Sequence, residues 1–121
     1  MRTIVKIFSV LAFGSLSLDQ AFGATVLYNC KPIEVGGVPG TRIHVLCDKG
    51  YTNNSALIYF SMPARTNDEI QRANLAVSVG MLALSTDKTV GLRFDDVDTS
   101  GTEFGCASLN CRTLSGIFVV K

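Results

Sequence analysis

The sequence predicts a mainly β domain with one helix, in the order β-β-β-α-β-β, stapled by two disulfides. Three observations carry that expectation. Short runs rich in β-branched and aromatic residues are separated by Gly, Pro and Asn clusters, as strands are. One stretch alone, opened by Thr66 and Glu69, carries helix-start chemistry and continues without a breaker. The chain also holds four cysteines, Cys30, Cys47, Cys106 and Cys111, an even number suited to a bridged framework.

Val26 to Val35 is extended in character, with Val26, Tyr28 and Cys30 on one parity. The cluster Gly36-Gly37-Val38-Pro39-Gly40 is a turn. Arg42 to Cys47 alternates Ile43, Val45 and Cys47 against Arg42, His44 and Leu46, the pattern of a half-buried strand. A polar loop through Tyr51, Asn53, Asn54 and Ser55 leads to a third strand, Ala56 to Met62, stopped by Pro63. Thr66-Asn67-Asp68-Glu69 then has the Ser/Thr-x-x-Glu form of a capping box, and Asp68 and Glu69 complement the positive helix start.

From Ala73 to Thr86 the helix has no charge. Ile70, Ala73, Val77, Gly80/Met81 and Leu84 mark one apolar face, and Leu75, Val79 and Leu82 another. Such a helix is either covered by its own sheet and a neighbouring subunit, or sunk into a single core. Thr89 to Phe94 forms a fourth strand with Val90, Leu92 and Phe94 on one face. An acidic loop, Asp95 to Glu103, precedes the Cys106–Cys111 loop, and Leu114 to Val120 closes the order.

Residues 1–23 read as a secretory signal peptide. Arg2 and Lys6 are followed by an uncharged stretch from Ile7 to Leu18, and Ala21 and Gly23 suit the cut site, so the mature chain begins at Ala24. The run is shorter than the roughly 20 apolar residues that span a bilayer, so no membrane insertion is expected. One domain, 24–121, remains, secreted or periplasmic. Its 9 basic and 9 acidic residues balance, which speaks against a nucleic-acid partner and against a polybasic membrane patch. In an oxidising compartment the four cysteines pair, and we take the sequential pairing Cys30–Cys47 and Cys106–Cys111 over the two others that four cysteines allow. A lone C-x4-C without a second matched pair or a nearby His is weak for zinc.

One helix between strands three and four is the order of the OB fold, a five-stranded Greek-key barrel that binds oligomeric ligands on one face. The chain also resembles the B subunits of pertussis-like and subtilase-cytotoxin-like AB5 toxins. Cysteines on the first two strands, an apolar helix, a strand entering an acidic loop and the short Cys106–Cys111 loop carry that resemblance, as does the layout from Ala76-Val77-Ser78 through Thr89 to Asp96. It implies a small OB-like barrel, a ring of subunits, host cell-surface glycans as ligands and a possible toxic A subunit as partner. Only six residues of the expected mature chain precede Cys30, where the family has a longer strand that contributes to its sugar site, so no family sugar residue is carried over.

Among individual residues, Tyr51, Asn53, Asn54 and Ser55 set an aromatic ring beside amides and a hydroxyl, a combination suited to a sugar. Arg93 and Arg112 would add carboxylate recognition. Asp96 to Gly101 matches the first half of a calcium loop, but Ala107 stands where the bidentate Glu belongs, and an acidic turn is the commoner outcome. His44, the single histidine, reads as an ordinary hydrogen-bonding or exposed strand residue, and Glu34, Glu69 and Glu103 as strand, cap and loop residues. Neither catalysis, a metal nor a cofactor is expected. The expected function is a non-catalytic glycan-binding module that assembles through its helix; the alternative is a secreted or periplasmic inhibitor or interaction protein with a protein target.

Overall fold

The computed structural model describes residues 25–121, and the expected signal peptide, residues 1–23, lies outside them. Six strands and one long helix run in the order β1 (Thr25–Cys30), β2 (Pro32–Val38), β3 (Arg42–Cys47), β4 (Tyr59–Pro63), α1 (Asn67–Ser85), β5 (Thr89–Asp95) and β6 (Cys111–Val120). A 3-10 turn, Ser100–Phe104, sits between β5 and β6. The domain is mainly β, and both expected disulfides, Cys30–Cys47 and Cys106–Cys111, are present.

Four boundaries differ from expectation. The expected turn Gly36–Gly40 is largely strand, because Gly36, Gly37 and Val38 pair with β3 and only residues 39–41 turn. The first extended stretch is two strands, broken at Lys31, because β1 pairs with β5 while β2 pairs with β3. The third strand begins at Tyr59 and not Ala56, since Leu57 is used in a turn, donating to Asn54 O and accepting from the Tyr51 amide. The last strand begins at Cys111, three residues ahead of Leu114, through its parallel pairing with Tyr59.

The strands form one sheet in the order β1-β5-β6-β4-β3-β2, antiparallel except for β4 beside β6. Its two outermost strands, β1 and β2, are neighbours in the chain, yet no ladder joins them. The sheet is therefore open at this edge and does not close into the expected OB-like barrel, and β1 and β2 follow one another in the chain through Lys31. Inside the fold, Val45, Phe60, Val90, Leu92 and Phe94 are fully buried, with Tyr28 and Tyr51 around them. Val90, Leu92 and Phe94 share a parity, as the alternation in β5 predicts.

The capping box forms. Thr66 Oγ1 accepts from the Glu69 amide at 3.3 Å, and the Glu69 carboxylate accepts from the Thr66 amide at 3.3 Å. Arg65 adds a forked pair to the same carboxylate, with 3.1 and 2.9 Å contacts, and reaches Glu103 at 2.9 Å. The helix then seats small residues, Ala73, Ala76, Gly80 and Ala83, on the sheet. At Gly80 a Cβ would stand 3.1 Å from a Val35 methyl, so the absence of a side chain sets how closely α1 approaches β2. The larger side chains go the other way: Leu75 is 68% exposed and Leu82 55%. Of the two apolar faces expected on the helix, one is covered within the chain.

Hydrogen bonds from the Arg65 side chain and backbone pull the Glu69 carboxyl from its ordinary 4.5 down to about 2. A depressed carboxyl stabilises the fold fully above about 4.5 and loses that contribution as pH falls through about 2. The thermal midpoint of the wild type is expected to fall more steeply over that window than that of Glu69→Gln. Parallel acid limbs in the two proteins would remove this carboxylate from the account.

Two disulfides fit an oxidising, non-cytoplasmic compartment. Among the described residues no helix is long and apolar enough to cross a membrane.

Candidate functional site

The outward parity of β3 carries Arg42, His44 and Leu46, which stand opposite Pro63, Ser61 and Tyr59 of β4. On the other side His44 is paired with Gly36 and Leu46 with Glu34, in a register that runs unbroken from Glu34 to Val38. Glu34 and His44 become diagonal neighbours, and His44 Nε2 lies 2.7 Å from Glu34 Oε2. The Tyr59 ring packs edge-on against the imidazole, with centroids 5.8 Å apart. These side chains form one wall of a cleft of about 260 Å³.

The other wall is the loop that runs into β6. Arg42 Nη1 donates to Phe104 O at 3.2 Å, and the Asn110 carbonyl accepts from the amides of Ile58 and Tyr59 at 3.2 and 3.0 Å. Gly105 has φ +93°, in the left-handed region, and its Cβ position would collide with the Arg42 guanidinium. Glycine is thus required twice over, for the turn and for the Arg42 contact. Gly105→Ala is expected to cost about 1–2 kcal/mol from the backbone alone and to push the Arg42 guanidinium out of its place. Chemical denaturation and the loss of the Arg42 side-chain contact in NMR spectra would measure both.

Ser61 and Cys111 lie at the base of the cleft. The Ser61 hydroxyl faces Cys111 Sγ at 3.4 Å, and among the described residues no hydrogen bond joins it to His44. Glu34 and His44 therefore form a pair without a nucleophile attached. The pair still offers an oriented carboxylate beside an aromatic ring, a guanidinium and a side-chain amide, groups that recognise hydroxyls.

The residues singled out from sequence are placed elsewhere. The Tyr51 ring is 7% exposed and wedged between Tyr28 and Phe94, with centroids 5.5 and 5.3 Å away, so it is a core ring and offers no free face to a sugar. Asn53, Asn54 and Ser55 are exposed on the turn beside it, with Asn54 Oδ1 accepting from the Ala56 amide at 3.2 Å. Arg93 alternates with Phe94 and so points away from Tyr51, its guanidinium 5.8 Å from the Phe118 ring. The structure does not bring these five together. Arg112 is buried and turned toward main-chain carbonyls, which removes it from carboxylate recognition by the surface.

In the acidic loop Asp95 Oδ1 accepts from the Val97 amide at 3.1 Å and Asp98 Oδ1 from the Ser100 amide at 2.9 Å. The Ser100 amide also draws the Asp98 carboxyl below its usual range. These are turns of Asp side chains onto their own backbone. Glu69 and Glu103 are tied to Arg65, whereas Glu34 belongs to the cleft. No group of three or more metal-binding side chains occurs among the described residues.

Of the cleft residues, Glu34 and His44 read from the sequence as ordinary strand residues, and Arg42, Tyr59 and Asn110 were not singled out. The signal that points to them is the polar parity of β3, where Arg42 and His44 share the outward face of an otherwise apolar strand. No protein-family model matches the chain, and no curated protein is significantly similar to it.

Proposed function

We propose that this chain is a secreted or periplasmic, non-catalytic binding module that holds a sugar in the cleft between β2–β4 and the loop before β6. The observation that carries the reading is the meeting of Glu34, Arg42, His44 and Tyr59 on one wall with Asn110 on the other in one small cleft. A carboxylate held by an imidazole accepts hydroxyl protons in fixed directions, the guanidinium beside it donates, and an amide stands on the facing wall. At about 260 Å³ the space suits one sugar unit, below the usual range for larger ligands. A strand face closed by an adjoining loop is also where OB-type folds take oligosaccharides.

A glycan array probed with the purified protein tests this. Sugar-selective signals are expected, falling about tenfold or more in Glu34→Gln, the usual loss for a hydrogen bond to a charged group. Asn53→Ala, outside the cleft, should bind as the wild type does. An array blank for the wild type would sink the reading.

The exposed Leu75, Met81 and Leu82 on α1 support assembly of such modules through the helix, as in the toxin B subunits that the chain resembles. Native mass spectrometry is expected to give a multiple of the mature chain mass, and Leu75→Glu to give the monomer. A monomeric wild type that co-purifies with an unrelated protein would favour the inhibitor reading.

A further inference from the structure

Arg112 lies at the start of β6 and is only 8% exposed, yet no carboxylate pairs with its charge among the described ion pairs. Its donors go to main-chain oxygens instead: Nε to Asp96 O at 2.7 Å, Nη1 to Ser108 O at 2.6 Å and to Cys111 O at 2.7 Å. Asp96 follows directly on β5, whereas Ser108 and Cys111 belong to the far end of the same connection. One planar guanidinium therefore ties together the two ends of the loop that carries Gly105, Ala107 and Asn110, the second wall of the cleft. The Asp98 carboxylate feels this charge without forming an ion pair with it, and an apolar side chain would fill the same buried space at lower cost. What an apolar side chain cannot do is hold three carbonyls at fixed angles to one another.

We propose that Arg112 is the positioning residue of the ligand cleft: it sets the loop 96–110 as a rigid wall without touching the ligand. The assignment rests on the cleft being the binding site. The Cys106–Cys111 bridge restrains only the inner part of the loop, from Cys106 onward. Asp96 and the segment leading to the 3-10 turn depend on the Arg112 contact, supplemented by their own Asp turns.

Arg112→Lys and Arg112→Met, each with both disulfides closed, separate the possibilities. Lysine keeps the charge but is a single point donor, and methionine keeps the bulk without either. Amide hydrogen exchange should accelerate about tenfold or more at Asp98, Ser100, Thr102 and Gly105, the part of the loop outside the bridge, in both variants. Val45 and Leu92, in the core strands, should keep wild-type protection. Signals on the same glycan array should fall in step with the loop's loosening, by about tenfold in each variant. Unchanged loop exchange in both variants would overturn the proposal, as would a loosened loop with undiminished array signals. Uniformly faster exchange at Val45 and Leu92 in Arg112→Lys would also overturn it, by making the residue a general support of the fold. If the wild type gives no array signal, the sugar reading fails by itself, and the exchange contrast between loop and core still decides whether Arg112 positions this wall.

Discussion

Phe60→Ala is expected to lower the unfolding free energy by about 4 kcal/mol, the middle of the range for a buried Phe truncated to Ala. Phe60 is fully buried on β4, the strand that joins the two halves of the sheet by pairing with β3 on one side and β6 on the other. Its ring meets Phe94 at 4.8 Å and Tyr28 at 6.3 Å between centroids, and Phe94 in turn meets Tyr51. Truncation removes both the transferred area and the tilted ring contacts, and the two neighbouring rings, Phe94 and Tyr28, cannot collapse into the space without moving their own strands. Against a total of about 5–15 kcal/mol for a small domain, the loss leaves a marginal protein. Phe60→Leu, which keeps most of the volume, should cost less than about 1.5 kcal/mol. Urea denaturation of both variants checks the pair. An alanine variant within 1 kcal/mol of the wild type, by the same scale of magnitudes, would mean that the core is not organised around this ring.

Features whose physics is local were legible in the chain. The capping box needs only Thr66 and Glu69 three residues apart, and the inward parity of Val90, Leu92 and Phe94 needs only the strand period. The disulfide pairing was legible too, since a turn in the Gly-Pro cluster returns β3 along β2 and sets Cys47 opposite Pro32, two residues from Cys30. The break at Lys31 was not, because nothing in the alternation of Val26, Tyr28 and Cys30 says that the chain leaves one edge of a sheet and resumes on the other. Tyr51 misled for a related reason. Its polar neighbours Asn53 and Asn54 suggest a surface loop, but a single ring can turn inward from such a loop when Phe94 and Tyr28 offer it a place. The cleft is the least legible part. Glu34, Arg42 and His44 meet only once β2 and β3 are paired in one register, and Asn110 meets them through a loop whose path depends on Gly105 and on a parallel pairing between distant strands. Arg42 and His44 on one outward face were the only local trace of it.

The same seam between the halves of the sheet governs the second large effect. Cys30 is the last residue of β1 and Cys47 the last of β3, so their bridge fastens the bend at Lys31 to the opposite strand. Besides that bend, the two halves are held by the β4–β6 ladder, which is only three pairs long, and by the core. Replacing both cysteines with alanine should lower the unfolding free energy by about 3 kcal/mol, from the loop-closure entropy of a loop of about 18 residues. Alanine is the better substitute here, because serine would bury two hydroxyls and add a penalty of its own. The same arithmetic gives about 2 kcal/mol for Cys106→Ala with Cys111→Ala, whose loop is much shorter. Location should matter as much as magnitude. Without Cys30–Cys47, amide exchange is expected to quicken at the β1 and β2 edges together, whereas without Cys106–Cys111 it should quicken in the cleft wall and leave those edges protected. Equal losses with the same exchange pattern in both double variants would show that neither bridge acts where it stands, and that the bend at Lys31 holds without covalent help.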